Sequence, residues 1–446
     1  MYTFQDFEKV MNNETDKQAF IQSAISSHKS SDFYKNAWNA REYFEKRNVT
    51  IFKYQKWLYK ATGEKVEDTI SPNHKCSCGY FPWFVIQQNE YLLSNGVNFS
   101  EDSTKERLGG AAFDNALKFG GEAALWGGVS FGFFNLDKVQ FFNILEFVPL
   151  YDEETGALMA GIYFWQIDDT KPMRATLYEI DGYTDYMFNT SDDGKKGVII
   201  LADKRPYMLD IAQSEIGGIE ILDGKNYPSF PIVPFWGNPE HQSEFIGMQA
   251  LIDSYDLIFS GYANNIDETS EIFWILSNVD GMDEIDAVNF KELVKRTKVA
   301  TDNAQPHTID VPSAARESIL EQLRTNMYVK FGAFDTKEIY SGGVTATAIE
   351  TAYDNLDKKA DRYETCVTDF INGLLALIGV EDSPTYQRST QKNKTEEIEN
   401  ILKCSQYLSQ SYITKKILTI MGDIDQYDAV MEELNSAEMM RFQNEQ

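Results

Sequence analysis

Apolar residues recur at steps of three and four over a long stretch in the last third of the chain. They are Ile349, Ala352, Tyr353, Leu356, Ala360, Tyr363, Val367, Phe370, Ile371, Leu374 and Ile378. That spacing puts them on one face of a helix. Thr347 and Glu350 form a capping box at its start, and Gly379 stands where a helix C-cap favours glycine. At 1.5 Å per residue such a helix runs about 45–50 Å, the length of a strut rather than of an ordinary packing helix. Immediately before it comes a glycine-containing segment, Tyr340, Ser341, Gly342, Gly343, Val344 and Thr345. The two glycines permit backbone angles closed to other residues. The pattern predicts either a static turn that aims the strut or a loop that moves on it.

The same reading organises the rest of the chain. Residues 1 to about 70 read as helices, with Phe4, Phe7 and Val10, then Phe20, Ile21, Ala24 and Ile25, then Phe33, Ala37, Ala40, Tyr43 and Phe44 on successive faces. Asn73 to Phe99 is aromatic and turn-rich, with Tyr80 to Ile86 buried. Residues 104–119 return to helix, with Leu108, Ala111, Ala112, Asn115, Ala116 and Phe119 on one face. From Ala123 to Phe235 short β-branched and aromatic runs alternate with Gly, Asp and Asn turns, which predicts a β-rich subdomain. Asp152 to Gly156 and Ser191 to Gly194 are its hairpin turns. The three prolines and one glycine of Pro231 to Pro239 predict a hinge. Phe245 to Ile266 then marks a helix of about six turns, residues 270–312 are mixed, and Ser313 caps a helix with Ile319, Leu320, Leu323 and Met327 inward. Past Ser383-Pro384, residues 394–442 give two or three final helices.

Composition narrows the function. The chain has 446 residues, 43% of them hydrophobic, enough for two or three domains with real cores. Its formal net charge of -28 argues against coating nucleic acid by charge neutralisation, which needs a basic surface. No apolar run approaches the roughly 20 residues that span a bilayer, and the acidic start lacks the layout of a signal peptide. Four cysteines fit a reducing compartment without a disulfide framework.

The search for reactive chemistry is mostly empty. His74, Cys76 and Cys78 are three possible zinc ligands where structural zinc usually takes four, and Cys366 and Cys404 lie far away in helical patterns. The four histidines have no local partner pattern. Gly109-Gly110, Gly120-Gly121 and Gly127-Gly128 lack the lysine of a phosphate loop and read as close-packing positions. Asp253 and Asp256 fall on the polar face of their helix, where solvation is expected. No catalytic residue, metal or cofactor is assigned. One basic cluster stands against the acid background: Lys291, Lys295, Arg296 and Lys298, of which Lys291, Lys295 and Lys298 share a helical face. It reads as a solvated face or as a contact for a partner or for nucleic acid.

The order of elements, and particular stretches within it, resembles the portal (head–tail connector) proteins of tailed bacteriophages, in the branch of long-tailed phages of Gram-positive hosts. Pro231 to Glu240 with Ser243, Met248 to Asp256 and Ser260 to Glu268 looks like the family's first stem helix and its approach. Ser341 to Ile349 is similar to the tunnel loop and the start of the tunnel helix, although Gly343-Val344-Thr345 replaces the Ala-Leu often found there. Val148 to Asp152 resembles a strand and turn of the wing. Ser409 to Thr414, Met421 to Asp425 and Glu432 to Leu434 resemble the crown.

The resemblance implies an α+β fold in a ring oligomer. The wing spans 1–237, stem helix 1 238–268, the small α/β clip 269–312, stem helix 2 313–334, the tunnel loop 335–346, the long tunnel helix and its return to the wing 347–384, and the helical crown 385–446. It further implies a dodecameric ring at one capsid vertex that carries double-stranded DNA during packaging and ejection. The expected partners are other copies of the chain, the DNA, the terminase large subunit, the head–tail adaptor, and the major capsid and scaffolding proteins, with assembly in the host cytoplasm and no membrane. Tyr340 to Thr345 would then face the DNA channel, and Lys291, Lys295, Arg296 and Lys298 would meet a partner at the clip. The acidic balance agrees with a conduit, because lysine or arginine on phosphate would grip a duplex that must slide; the lumen is expected to carry Asp, Glu, Ser, Thr and Asn. Another ring-forming virion or tail-hub protein without DNA passage stands as the alternative. An enzyme such as a carbohydrate-active α+β protein is a third class, but the spacing of acid and base groups it needs is missing.

Overall fold

A computed structural model of the chain describes residues 2–59, 63–69, 71–189, 197–213, 219–269, 273–276, 304–307, 313–337, 346–389 and 394–434. Four helices open it: α1 (Phe4–Glu8), α2 (Glu14–Ser30), α3 (Asp32–Phe44) and α4 (Val49–Lys53). Each begins at a polar cap; Asn13 accepts from Thr15 N, and Ser31 from Tyr34 N. A short hairpin follows, β1 (Trp57–Tyr59) with β2 (Lys65–Glu67). Next come α5 (Tyr80–Leu93), β3 (Val97–Asn98), α6 (Asp102–Leu108) and α7 (Ala111–Gly127).

The aromatic stretch expected to be turn-rich is therefore mainly a helix. In α5, Phe81, Phe84, Val85, Tyr91, Leu92 and Leu93 are all buried, so burial on several sides erases the polar stripe that would have revealed it. In α7 the expected face is wrong as well. Phe119 is 72% exposed, and the buried stripe is Phe113, Leu117, Gly120, Gly121 and Ala124. The adjacent glycines let neighbours approach: a Cβ on Gly120 would stand 2.3 Å from the Phe141 ring, and one on Gly121 2.2 Å from the Tyr363 hydroxyl.

The strands are β4 (Val129–Asn135), β5 (Lys138–Asn143), β6 (Phe147–Tyr151), β7 (Leu158–Trp165), β8 (Arg174–Glu179), β9 (Gly182–Asn189), β10 (Gly197–Arg205), β11 (Met208–Gln213), β12 (Ile219–Lys225) and β13 (Ile232–Trp236). An antiparallel sheet runs β10-β9-β8-β7-β6, a second runs β13-β4-β5, and β11 pairs with β12. Asp152 to Gly156 turns β6 into β7 as expected, its Asp152 carboxylate accepting from the Glu154 and Thr155 amides. Residues 191–194 lie outside the described residues, although β9 and β10 pair across them. The stretch read as a hinge is largely β13. Pro234 sits in it opposite Phe131 because β13 is an edge strand, where a missing N–H leaves no ladder bond broken.

After β13 come α8 (Gln249–Thr269), the antiparallel pair β14 (Phe273–Leu276) and β15 (Ala304–His307), α9 (Ser313–Phe331) and α10 (Ala346–Ile378). β16 (Thr385–Tyr386) returns to pair with β3. α10 is one helix of 33 residues, about 50 Å long. It starts at Ala346, so Thr347 lies inside it rather than at its cap. It ends as expected at Gly379, whose φ of +64 suits glycine and lets Val380 N reach Leu375 O at 3.0 Å. α11 (Lys394–Lys403), α12 (Gln410–Met421) and a helix over 427–434 complete the described residues.

The chain divides into a larger unit, Met1–Asp335 with Asp354–Arg388, and a smaller one, Thr336–Tyr353 with Ser389–Gln446. Two cores fill the larger unit. In one, Phe7, Phe20, Ile21, Ala24 and Ile25 cover Val148, Leu150, Ala160, Ile162 and Leu177 of the five-stranded sheet. The other gathers α3, α5, α7, the three-stranded sheet, α8, α9 and the body of α10. There Leu356, Ala360, Tyr363, Val367, Phe370, Ile371 and Leu374 are buried, the face that the spacing predicts. Phe370 stacks on Phe235 at 4.8 Å, and each such side chain contributes roughly 1.5–3 kcal/mol on burial. In the smaller unit Ser409 caps α12 and Ile413 is buried.

Candidate functional site

Tyr340, Ser341, Gly342, Gly343, Val344 and Thr345 lie outside the described residues, as do Lys291, Lys295, Arg296 and Lys298. What the structure places is the framework on which both segments are mounted. The basic cluster falls between β14 and β15, strands that pair directly, and α8 and α9 lead into and out of that pair. The glycine segment falls between α9 and α10.

The approach to the glycine segment is firmly held. Gly332 turns the chain at a φ of +76. The Gln87 amide then bonds Phe334 twice, accepting from Phe334 N at 2.9 Å and donating to Phe334 O at 3.0 Å. Arg324 donates to Asp335 Oδ1 at 2.5 Å and lies 4.8 Å from the Tyr328 ring centroid. Beyond the segment, Lys359 fixes α10 to the same place. Its ammonium pairs with Glu244 at 2.7 Å, donates to Phe331 O at 2.7 Å and sits 3.2 Å from the Phe331 ring centroid. Burial pushes its pKa below the ordinary lysine value, against the pull of Glu244. From beyond β16, Arg388 reaches back to three carboxylates on successive turns of α10, Asp357, Asp361 and Glu364.

α8 is held by a polar clasp. Asp256 is 0% exposed and accepts from Asn48 Nδ2 at 2.7 Å and from Cys78 N at 3.1 Å. Asp253 accepts from the Tyr43 hydroxyl at 2.6 Å. The solvated role expected for these two carboxylates is thus overturned: their partners come from α3, α4 and residue 78, about 200 positions upstream. Burial raises the Asp256 pKa, and the bonds from Asn48 and Cys78 only partly offset it. Residues 74–78 run along α8 as an extended strap. His74 N donates to Asn264 Oδ1 at 2.6 Å and Cys76 N to Ser260 Oγ at 3.0 Å, so alternate strap residues meet every fourth helix residue. His74 Nε2 also contacts Asp267. Asp256, Ser260 and Asn264 form a stripe of small polar residues at steps of four, a periodicity present in the sequence that could have marked this face.

The clasp has the chemistry of a fastening. Although Cys78 is exposed at the surface, partial desolvation of its thiol, reinforced by the Asp256 charge, pushes its pKa up to about 12, which disfavours the thiolate. Among the described residues no group of three or more His, Cys, Asp or Glu could hold a metal ion, and His74, Cys76 and Cys78 are spread along the strap. His28 is buried with Nε2 2.8 Å from Ile144 O, and His241 stacks on Trp236 at 3.8 Å. Among the described residues no helix is long and apolar enough to cross a membrane.

Comparison with known proteins places the chain in a family. A family model described as phage portal protein, SPP1 Gp6-like, matches residues 23–441. The portal protein of Bacillus phage SPP1 is 26% identical over 373 residues, covering 77% of this chain and 69% of that one. The portal protein of Clostridium phage phiCD119 is 25% identical over 273 residues; the match spans 57% of this chain and only 57% of the relative's own length. A chain in the virion of a native gene transfer agent particle aligns over 76% of this chain and 88% of its own, at a TM-score of 0.37 and 9% identity, too distant to carry weight. With the family model extending over nearly the whole chain, this protein belongs to the phage portal proteins, SPP1 Gp6-like, structural components of the bacteriophage virion.

Proposed function

We propose that the chain assembles into a ring of twelve copies at one capsid vertex, that double-stranded DNA passes through the ring during packaging and ejection, and that the terminase motor and later the head–tail adaptor dock on it. The family match over residues 23–441 carries this reading. Two physical features support it. Leu257, Phe259 and Val329 on α8 and α9 are exposed in the single chain, Val329 to 63%, as is Ile319, which the spacing had placed inward, and a head-to-tail ring contact would cover such surface. The net charge of -28 suits a channel that lets a polyanion slide.

In this reading residues 1–237 form the wing, α8 and α9 the stem, 269–312 the clip, 335–346 the tunnel loop, 347–384 the tunnel helix with its return to the wing, and 385–446 the crown. Tyr340 to Thr345 face the DNA, and the Gln87, Arg324 and Lys359 contacts hold the base of the loop still while its tip shifts. Lys291, Lys295, Arg296 and Lys298 meet the motor or adaptor. The scaffolding and major capsid proteins contact the ring during assembly in the host cytoplasm.

Negative-stain microscopy and mass photometry of the purified full chain test the ring: about twelve subunits around a hole of duplex width are expected, and a protein that stays monomeric at every concentration refutes it. Replacing Gly342 and Gly343 by proline is expected to slow packaging while rings still form; unchanged packaging kinetics would remove the mobile role of the loop.

A further inference from the structure

A cleft of about 480 Å³ opens where the loop before α8, the end of α9 and the middle of α10 meet. That volume lies within the range of pockets that hold drug-sized ligands, about 300–1,000 Å³. Gln88 of α5 lines it. Gln88 is 1% exposed, and its Oε1 has no hydrogen-bond partner among the described residues. Buried acceptors left unpaired are rare and destabilising, so Oε1 calls for a donor that the described residues do not supply.

The charge of the cleft runs against that of the protein. Lys330, Lys358, Lys359 and Arg362 line it beside two carboxylates, Glu240 and Glu244, and Lys358 pairs with Asp354 just outside the lining, so four cations meet three anions. The whole chain sets 69 acidic residues against 41 basic ones. Lys330 donates to Gly247 O at 2.6 Å and Arg362 to Glu240. A lysine has three N–H donors and an arginine five, so both keep capacity for another anion.

An occupant must therefore bring an anionic acceptor and a hydrogen-bond donor together. A phosphodiester backbone at neutral pH offers acceptors only. A peptide segment with an Asp or Glu offers both, its carboxylate beside a backbone N–H. Acidic segments of that kind are abundant on another copy of this chain. We propose that the cleft receives an acidic segment of a second copy, one carboxylate meeting Lys330 and Arg362 and one N–H or hydroxyl meeting Gln88 Oε1. This rests on the ring reading above and adds the contact that seats one copy on the next.

The test compares full-length wild type with Gln88→Leu, Lys330→Glu and Lys330→Arg, reading the Tm of the dilute monomer and the concentration at which assembly is half complete by mass photometry. Gln88→Leu removes the orphaned acceptor. Its Tm is expected to equal or exceed that of wild type while the assembly midpoint rises about tenfold, a pair of opposite signs that loss of folding cannot produce. Lys330→Glu should raise the midpoint further and flatten its salt dependence, and Lys330→Arg should restore it. Wild-type midpoints for both Gln88→Leu and Lys330→Glu, with wild-type rings intact, overturn the cleft alone. A lower Tm for Gln88→Leu also overturns it, because the acceptor would then be satisfied within one chain. Normal assembly with lost retention of a fluorescent DNA duplex would overturn it too and assign the cleft to nucleic acid instead. A monomeric wild type overturns both readings.

Discussion

Lys359→Met tests whether the base of the glycine segment is held electrostatically. Methionine keeps the apolar stem against Phe331 but removes the ammonium. Glu244, whose side chain is 15% exposed, then stands without its cation, and Phe331 O loses a donor. Removing one member of a buried pair destabilises by about 3–5 kcal/mol, and the partial exposure of Glu244 places the expectation near 3 kcal/mol. The double variant Lys359→Met/Glu244→Gln keeps an acceptor for Asn238 Nδ2, 2.9 Å from Glu244 Oε1, and leaves no buried charge. It should recover to within about 1 kcal/mol of wild type, since a buried ion pair is often replaced by neutral groups at little net loss. Urea unfolding at pH 7 measures this as a shift in midpoint at constant slope. A single variant within 1 kcal/mol of wild type, or a double variant no better than the single, would refute the reasoning.

Other substitutions probe the rest of the framework. Asp256→Leu orphans Asn48 Nδ2 and Cys78 N, a loss of about 2–6 kcal/mol at 1–3 per donor, and combining it with Asn48→Leu should be less than additive by thermal unfolding; strict additivity would argue against the clasp. Gly161→Ala places a Cβ 2.0 Å from Phe147 Cζ, a ring hemmed in by Phe131 at 4.5 Å, and should destabilise by about 1–3 kcal/mol in urea titrations, whereas a neutral effect would mean the ring can yield. Burial, with the nearby Lys29 charge, lowers the His28 pKa from 6.5, so its contribution is whole above 6.5 and is lost as pH falls through the folded value. Unfolding measured from pH 8 to 5 should show a steeper decline for wild type than for His28→Leu, and parallel curves would rule the group out.

The sequence carried the long helix well, because one side of α10 from Tyr353 to Leu374 is buried and its opposite side is wet, the condition under which periodicity speaks. The hairpin at Asp152 and the cap at Gly379 were legible because each rests on local backbone chemistry. Where burial comes from several sides, as in α5, the stripe vanishes. Pro234 misled because a proline rule for central strands does not govern an edge. Asp253 and Asp256 misled for another reason: a helical carboxylate reads as solvated until Tyr43 and Asn48, far away in sequence, are placed against it. Lys359 and Arg388 were invisible on the same ground, since a cation's partner is a tertiary fact.

The strap on α8 has a consequence for how evolution or an engineer can alter that helix. Two residues of extended chain advance about 6.6 Å, while four residues of helix advance about 6 Å. The two scales drift by some 0.6 Å per rung, so only a few consecutive bonds can form before the register is lost. Pro72, which has no N–H, marks the next rung and ends the series chemically. The strap is in effect a vernier that reads the rotational phase of α8. Inserting a single residue between Asp256 and Asn264 would turn the remainder of the helix by about 100° and unseat the far rung, whereas four residues restore the facing but displace it by a full rung. Length changes in the segment that α8 carries are therefore best tolerated beyond Asp267, past the last point at which the strap can feel them.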